Sequence, residues 1–110
     1  MEKSKKYLSD ILMAIELIEE FTDGINDFNL YEKDRKTQSA VERQLAIIGE
    51  ALNQLRKAEP TIAIENDKQI IGFRNRLIHA YDSLDNSIIW SILNRHLKGL
   101  KIEIQNLIKD

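Results

Sequence analysis

One short stretch of the chain concentrates side chains that can move protons or hold negative charge: Gly72-Phe73-Arg74-Asn75-Arg76-Leu77-Ile78-His79-Ala80-Tyr81. Two guanidiniums, an amide, an imidazole and a phenol fall between Arg74 and Tyr81. An imidazole changes charge near neutral pH, with an ordinary pKa of about 6.5. A guanidinium is a permanent, planar donor suited to anionic oxygens. On a helix turning about 100° per residue, Asn75 and His79 stand four apart and share a face. Arg74 and Tyr81 stand seven apart and nearly eclipse. Arg74 and His79 diverge by about 140° on an ideal helix. A long arginine near a helix end can still converge with the imidazole, more easily if the helix loosens after His79. A structural reading competes on spacing alone. In it Arg76 is a surface charge, Asn75 a polar helix residue, Tyr81 a half-buried packing residue and His79 a satisfied histidine beside isoleucine.

The charge is unevenly spread, and the sharper reading of it is a local surface for an anionic ligand at this segment. The 110 residues carry 16 Lys/Arg and 18 Asp/Glu, a formal net charge of -2. Residues 1–67 hold nine basic and fourteen acidic residues, a balance of -5. Residues 68–102 hold six basic and two acidic residues, a balance of +4, together with both histidines, His79 and His96. Charge alone favours the plainer reading, ordinary scatter over solvated helix faces. An acidic whole argues against a general polyanion binder, whose footprint is strongly basic. Other chemistries are missing from the sequence. The chain has no cysteine, hence no disulfide, thiolate zinc site or cysteine nucleophile. It has no Gly-rich phosphate loop, no His-Glu-x-x-His pair, no carboxylate cluster at metal-ligand spacing and no nucleophile elbow. Glu16, Glu19 and Glu20 fit a solvated helix face. Neither a metal nor a cofactor is expected, and a metal-dependent nuclease is disfavoured. Neither a signal peptide nor a membrane span is legible, so a cytoplasmic location is expected.

Helices must position this segment. Glycine and proline are scarce, and no alternating strand pattern occurs. Leu8, Ile11, Leu12, Ile15, Ile18 and Phe21 recur at steps of three and four, one face of a helix from about Ser4 to Thr22. Asp23-Gly24-Ile25-Asn26-Asp27 breaks it. A second helix is predicted from Tyr31 to Ala58, with Val41, Leu45, Ile48, Leu52 and Leu55 inward and Pro60 as its stop. Asn66 or Asp67 is the expected cap of a third helix through Ile70, Ile71, Phe73, Leu77 and Ile78. Tyr81-Asp82-Ser83-Leu84-Asp85 reads as a turn, with Ser83 or Asp85 as the next cap. A last helix is predicted to run to about Ile108, bent near Gly99, with Ile88, Ile89, Ile92, Leu93, Leu100, Ile104 and Leu107 inward. Residues 1–110 therefore read as a single all-α domain, an antiparallel four-helix up-and-down bundle. The length of the second and last helices leaves apolar surface that a dimer would use.

The stretch Arg74-x4-His79-x-Tyr81 resembles the motif of HepT-like toxins, members of the HEPN ribonuclease superfamily. The resemblance extends beyond it. Residues 40–51, with Ile48-Gly49-Glu50-Ala51, are similar to the family's second helix. Residues 70–79 are similar to its motif-bearing helix, and Ser87-Ile88-Ile89-Trp90 to the apolar-Trp element that follows. Leu8 to Ile18 is compatible with the first helix. One departure is Lys98 after Leu97, where members often have proline.

The resemblance implies a HEPN-like homodimer that cleaves RNA without metal, with two motifs facing each other across the two-fold axis. It implies catalytic roles for Arg74 and His79. Asn75 and Glu50 would support them, Asn75 by orienting His79 or holding a phosphate oxygen, Glu50 by bonding Arg74 or shaping the cleft. As a generic helix carboxylate Glu50 would carry no role. Arg76, Arg95 and Lys98 are candidates for holding the RNA backbone. Tyr81 would be the site at which an MntA-type nucleotidyltransferase antitoxin adenylylates the toxin; the alternative is a packing role. Gly49 would permit close helix approach, Trp90 would pack in core or interface, and His96 would be a solvated helix residue or an RNA contact. The alternative functions are a non-catalytic HEPN binding module that partners a nucleotidyltransferase, and a plain helical dimerisation protein.

Overall fold

The computed structural model describes the backbone of residues 2–79 and 85–109 and, apart from Glu2, Ile78 and His79, their side chains. Six helices and no strand occur among them: α1 (Glu2–Phe21), α2 (Phe28–Lys33), α3 (Arg35–Ala58), α4 (Lys68–His79), α5 (Asn86–Arg95) and α6 (Leu97–Lys109). The all-α class is as predicted.

Two predicted helices are each interrupted at one residue. The long second helix is α2 and α3, separated by Asp34. Its backbone leaves the helical region, and its carboxylate accepts from the Thr37 N–H at 3.0 Å and the Thr37 hydroxyl at 2.7 Å. Asp34 thus ends one helix and caps the next. Asp27 caps α2 by accepting from the Leu30 N–H at 2.9 Å. The last helix is α5 and α6, and the break falls at His96 rather than near Gly99. Asp85 caps α5 as expected, accepting from the Ser87 N–H at 2.8 Å. The turn predicted before it lies, except for Asp85, outside the described residues.

α1 runs antiparallel to α3 and to α6, and α3 to α4. Ser4, at the start of α1, donates to Glu59, just past the end of α3. Lys101, early in α6, pairs with Glu19, late in α1. Asp67, before α4, pairs with Arg56 near the end of α3. The core is aliphatic: Ile11, Ile15, Ile18, Val41, Leu45, Ile48, Leu52, Leu55, Ile70, Ile89, Ile92, Leu100 and Ile104 are almost wholly buried. These repeats at three and four follow the predicted stripes. Two predicted inward residues face out: Phe21 and Ile88 are each 37% exposed. Tyr31 fills the gap beneath α2 and lies against Trp90, ring centroids 5.5 Å apart. Among the described residues no helix is long and apolar enough to cross a membrane.

Candidate active site

The motif-bearing helix α4 is seated by apolar residues on one side and by charge on the other. Ile70, Ile71 and Phe73 are buried in the core. Asp67, 4% exposed, is held by the Arg56 guanidinium at 2.9 Å and 3.1 Å. Its side chain therefore ties the start of α4 to α3, and that of the other predicted cap, Asn66, goes to Glu103 and His96.

One turn further along, α4 crosses α3 at Gly49. A Cβ built on Gly49 would stand 2.6 Å from Arg74 Cβ and 3.1 Å from the Ile70 carbonyl oxygen. Only a residue without a side chain allows this approach. The contact places the Arg74 stem directly over α3, within reach of Glu50. Arg74 Nη2 forms an ion pair with Glu50 Oε2. Arg74 Nη1 donates to Asn75 Oδ1 at 3.1 Å, and Gln54 Nε2 donates to the other Glu50 oxygen at 3.2 Å. Carboxylate and amide oxygens thus hold the guanidinium at two of its nitrogens, leaving donors of its fork for an anion. Arg74 is 21% exposed and Glu50 43% exposed, so the pair sits at the surface rather than in the core.

The pair borders a groove of about 680 Å³ between α1, α3 and α4. Tyr7 and Asp10 line it from α1, Glu42, Arg43, Glu50 and Gln54 from α3, and Arg74 and Leu77 from α4. Burial raises the Glu42 carboxyl above its ordinary range. The arrangement presents a fixed guanidinium to an open groove whose other walls carry both signs of charge.

The structure therefore brings together Arg74, Asn75 and Glu50 of the predicted residues. His79 is the last residue of α4, and Tyr81 lies outside the described residues. Arg76, Arg95 and Lys98 do not line this groove. Arg76 borders a cavity between α4 and α5, Lys98 borders one between α1, α5 and α6, and Arg95 is exposed in the last turn of α5. Gln54 and Glu42 went unnoticed in the sequence; the signal for Gln54 was its i, i+4 spacing from Glu50.

A family model described as Ribonuclease HepT-like matches residues 11–107, from the middle of α1 to near the end of α6. The chain belongs to the HepT-like ribonuclease family. Named relatives agree. A protein of Thermococcus cleftensis named a probable ribonuclease HepT is 40% identical, over 99% of this chain and 100% of that protein. A candidate RNase of Methanocaldococcus jannaschii is 34% identical, over 92% and 93% of the two chains. A candidate RNase of Caldanaerobacter subterraneus subsp. tengcongensis is 31% identical, over 99% and 97%. No solved structure matches the chain. The HepT-like match makes the chain a ribonuclease, and the alternative of a plain dimerisation protein falls away.

Proposed function

We propose that this HepT-like ribonuclease is the toxin of a toxin–antitoxin pair and cuts RNA without metal at a site shared by two copies. The observation that supports it most is the Arg74 guanidinium, fixed by Glu50 and Asn75 at the edge of an open groove. Metal-free RNA cleavage needs a base for the ribose 2'-hydroxyl proton and an acid for the departing 5'-oxygen. The 2'-oxygen attacks phosphorus, the P–O5' bond breaks, and the products are a 2',3'-cyclic phosphate and a 5'-hydroxyl. His79 supplies one imidazole, and a two-fold axis supplies the second from the same residue of the other chain. Arg74 stabilises the charge that grows on the phosphorane oxygens. Asn75, through Arg74, and Glu50 act as positioning residues. Arg76, Arg95 and Lys98 hold flanking phosphates.

In this reading Tyr81 is the adenylylation site for an MntA-type nucleotidyltransferase. The adduct adds a phosphate charge and a nucleoside two residues from His79, and both oppose RNA binding. Intact-mass analysis after co-expression with such an enzyme tests this; an unmodified Tyr81 peptide beside an active transferase would count against it. The nuclease itself is tested with purified wild type beside His79→Ala and Arg74→Ala. Both variants are expected to lose cleavage, and a 2'-deoxy residue at the scissile position is expected to block it. Efficient cutting of the 2'-deoxy substrate would sink the mechanism.

A further inference from the structure

Gly72 stands inside α4, where glycine is disfavoured relative to every other residue but proline. Packing does not demand it. A Cβ built there meets no described atom within 4 Å, and the residue is exposed. Gly72 instead lines a cavity of about 270 Å³ between α4 and α5, into which a side chain there would intrude. Ile88, exposed, and the buried Phe73 and Ile92 behind it give this cavity an apolar floor, and Arg76 and His96 are among its polar lining residues. Ile88 is one of the apolar residues that the core leaves exposed.

The His96 imidazole is oriented from behind. The Glu103 carboxylate accepts the Glu65 N–H at 2.7 Å, the Asn66 N–H at 3.2 Å and the Asn66 side-chain amide at 2.8 Å. An ionised carboxylate only accepts, so Asn66 must offer it the NH₂. The Asn66 oxygen is thereby turned to His96 Nδ1, 3.1 Å away. A carbonyl oxygen also only accepts, so Nδ1 carries the hydrogen, and in the neutral ring Nε2 is an acceptor. Gly99 makes room for the device, since a Cβ there would stand 2.7 Å from Asn66 Nδ2.

We propose that this cavity binds one unpaired RNA nucleotide, its base on the apolar floor with an edge N–H donated to His96 Nε2, and its phosphate on Arg76. The volume lies just below the range of pockets for drug-sized ligands, about 300–1,000 Å³, which suits one base. Single-stranded RNA is read by this kind of contact, in which a splayed base stacks on side chains and is hydrogen-bonded at its edge. Gly72 and Arg76 stand at i and i+4, on one face of α4, and Arg76 lies in the helix's last turn, which ends at His79. The bound nucleotide therefore flanks the turn that carries the motif histidine. The proposal rests on the ribonuclease reading, and its test is independent of cleavage.

Binding is measured by fluorescence anisotropy with two labelled probes: a mixed-sequence 2'-O-methyl RNA strand and an abasic 2'-O-methyl strand of equal length. Neither can be cut through a 2'-hydroxyl. Wild type is expected to prefer the base-bearing strand. Gly72→Leu, which puts a side chain into the cavity, and His96→Ala are each expected to weaken that strand roughly tenfold and leave the abasic strand unchanged. Equal binding of both strands by wild type, equal weakening of both by the variants, or no weakening would overturn the proposal. So would a change in molar mass of Gly72→Leu, which would give the glycine to a contact between copies. If His96→Ala unfolds, Gly72→Leu decides alone, because leucine favours the helix. Unmodified RNA left uncut by a protein with the expected base preference would refute the cleavage mechanism and spare this subsite.

Discussion

Arg74 is held by partners that fit an arginine and would not fit a lysine. One nitrogen meets Glu50 and another meets Asn75, a spread that a single ammonium cannot span. Arg74→Lys is therefore expected to keep the charge and still lose roughly 10²-fold in cleavage rate, measured as the observed rate constant under single-turnover conditions. Glu50→Gln keeps the shape and weakens the hold. It is expected to lower kcat with little change in KM, because it moves the guanidinium rather than removing it. A wild-type kcat in Glu50→Gln would assign Glu50 to the fold alone. Tyr31 makes the opposite case at the same scale. Its ring is fully buried, and its hydroxyl has no partner among the described residues. Burial also pushes its phenol pKa up. An unsatisfied buried hydroxyl costs about 1–3 kcal/mol, so Tyr31→Phe is expected to leave the thermal midpoint unchanged or higher. A fall would reveal a hydrogen bond to the hydroxyl.

Among the elements, the α3–α4 crossing decides where Arg74 stands. Gly49→Ala puts a methyl against the Arg74 Cβ and the Ile70 carbonyl. Both are anchored to the α4 backbone, so the helix must move as a unit. Overpacking of this kind costs about 1–3 kcal/mol, offset in part by about 1 kcal/mol of helix propensity. Urea unfolding is expected to show the net loss, with a lower kcat beside it.

Charged groups at the helix ends and in the groove give two opposite pH effects. Hydrogen bonds from Thr37 and Ser87 hold Asp34 and Asp85 below their ordinary carboxyl range. Their contribution is present above the unfolded pKa and lost as pH falls through the lower folded one. Glu42 runs the other way. Its folded pKa is raised by burial above its ordinary 4.5, so stability declines as pH rises through that interval. Glu42→Gln is expected to be more stable than wild type at pH 7, and the gap should close as the pH is lowered to about 4. Thermal midpoints between about pH 4 and pH 7 check the Glu42 sign, and midpoints continued below pH 3.8 check that of Asp34 and Asp85.

The break at His96 falls three residues from the bend predicted near Gly99, because Ile92, Leu93, Leu97 and Leu100 carry the apolar repeat across it. The break at Asp34 falls in a polar run, residues 32–39, where no apolar residue marks the helical phase, so the apolar pattern could not separate α2 from α3. The core stripe itself was legible, from Leu8 to Ile104, because burial follows the helical period. Glu50 and Arg74 are 24 residues apart, and no local spacing joins them. Only the family resemblance put them on one page, and Gln54 entered with the structure. Phe21 and Ile88 were misplaced because periodicity counts apolar residues without knowing which helix end lacks a neighbour.

The whole molecule measures 41 × 30 × 19 Å. Packed helix axes lie about 8–10 Å apart, so the thin direction holds two helix layers. A body this thin leaves the Arg74–Glu50 pair on an open surface, with no further layer to close over bound RNA. A second copy laid on the groove would supply that layer and the second imidazole together. This composite arrangement has a stoichiometric signature. If one site needs His79 from both chains, a mixed dimer of wild type and His79→Ala is inactive. After unfolding and refolding together in equal amounts, the mixture is expected to retain about one quarter of the activity of an equal mass of wild type, since only about one dimer in four carries two imidazoles. Chains that cut independently would retain about one half. Titrating the variant from small to large excess turns the two cases into a quadratic and a linear decline with wild-type fraction, read by initial cleavage rates at constant total protein. A linear decline would refute the shared site while leaving the ribonuclease assignment untouched.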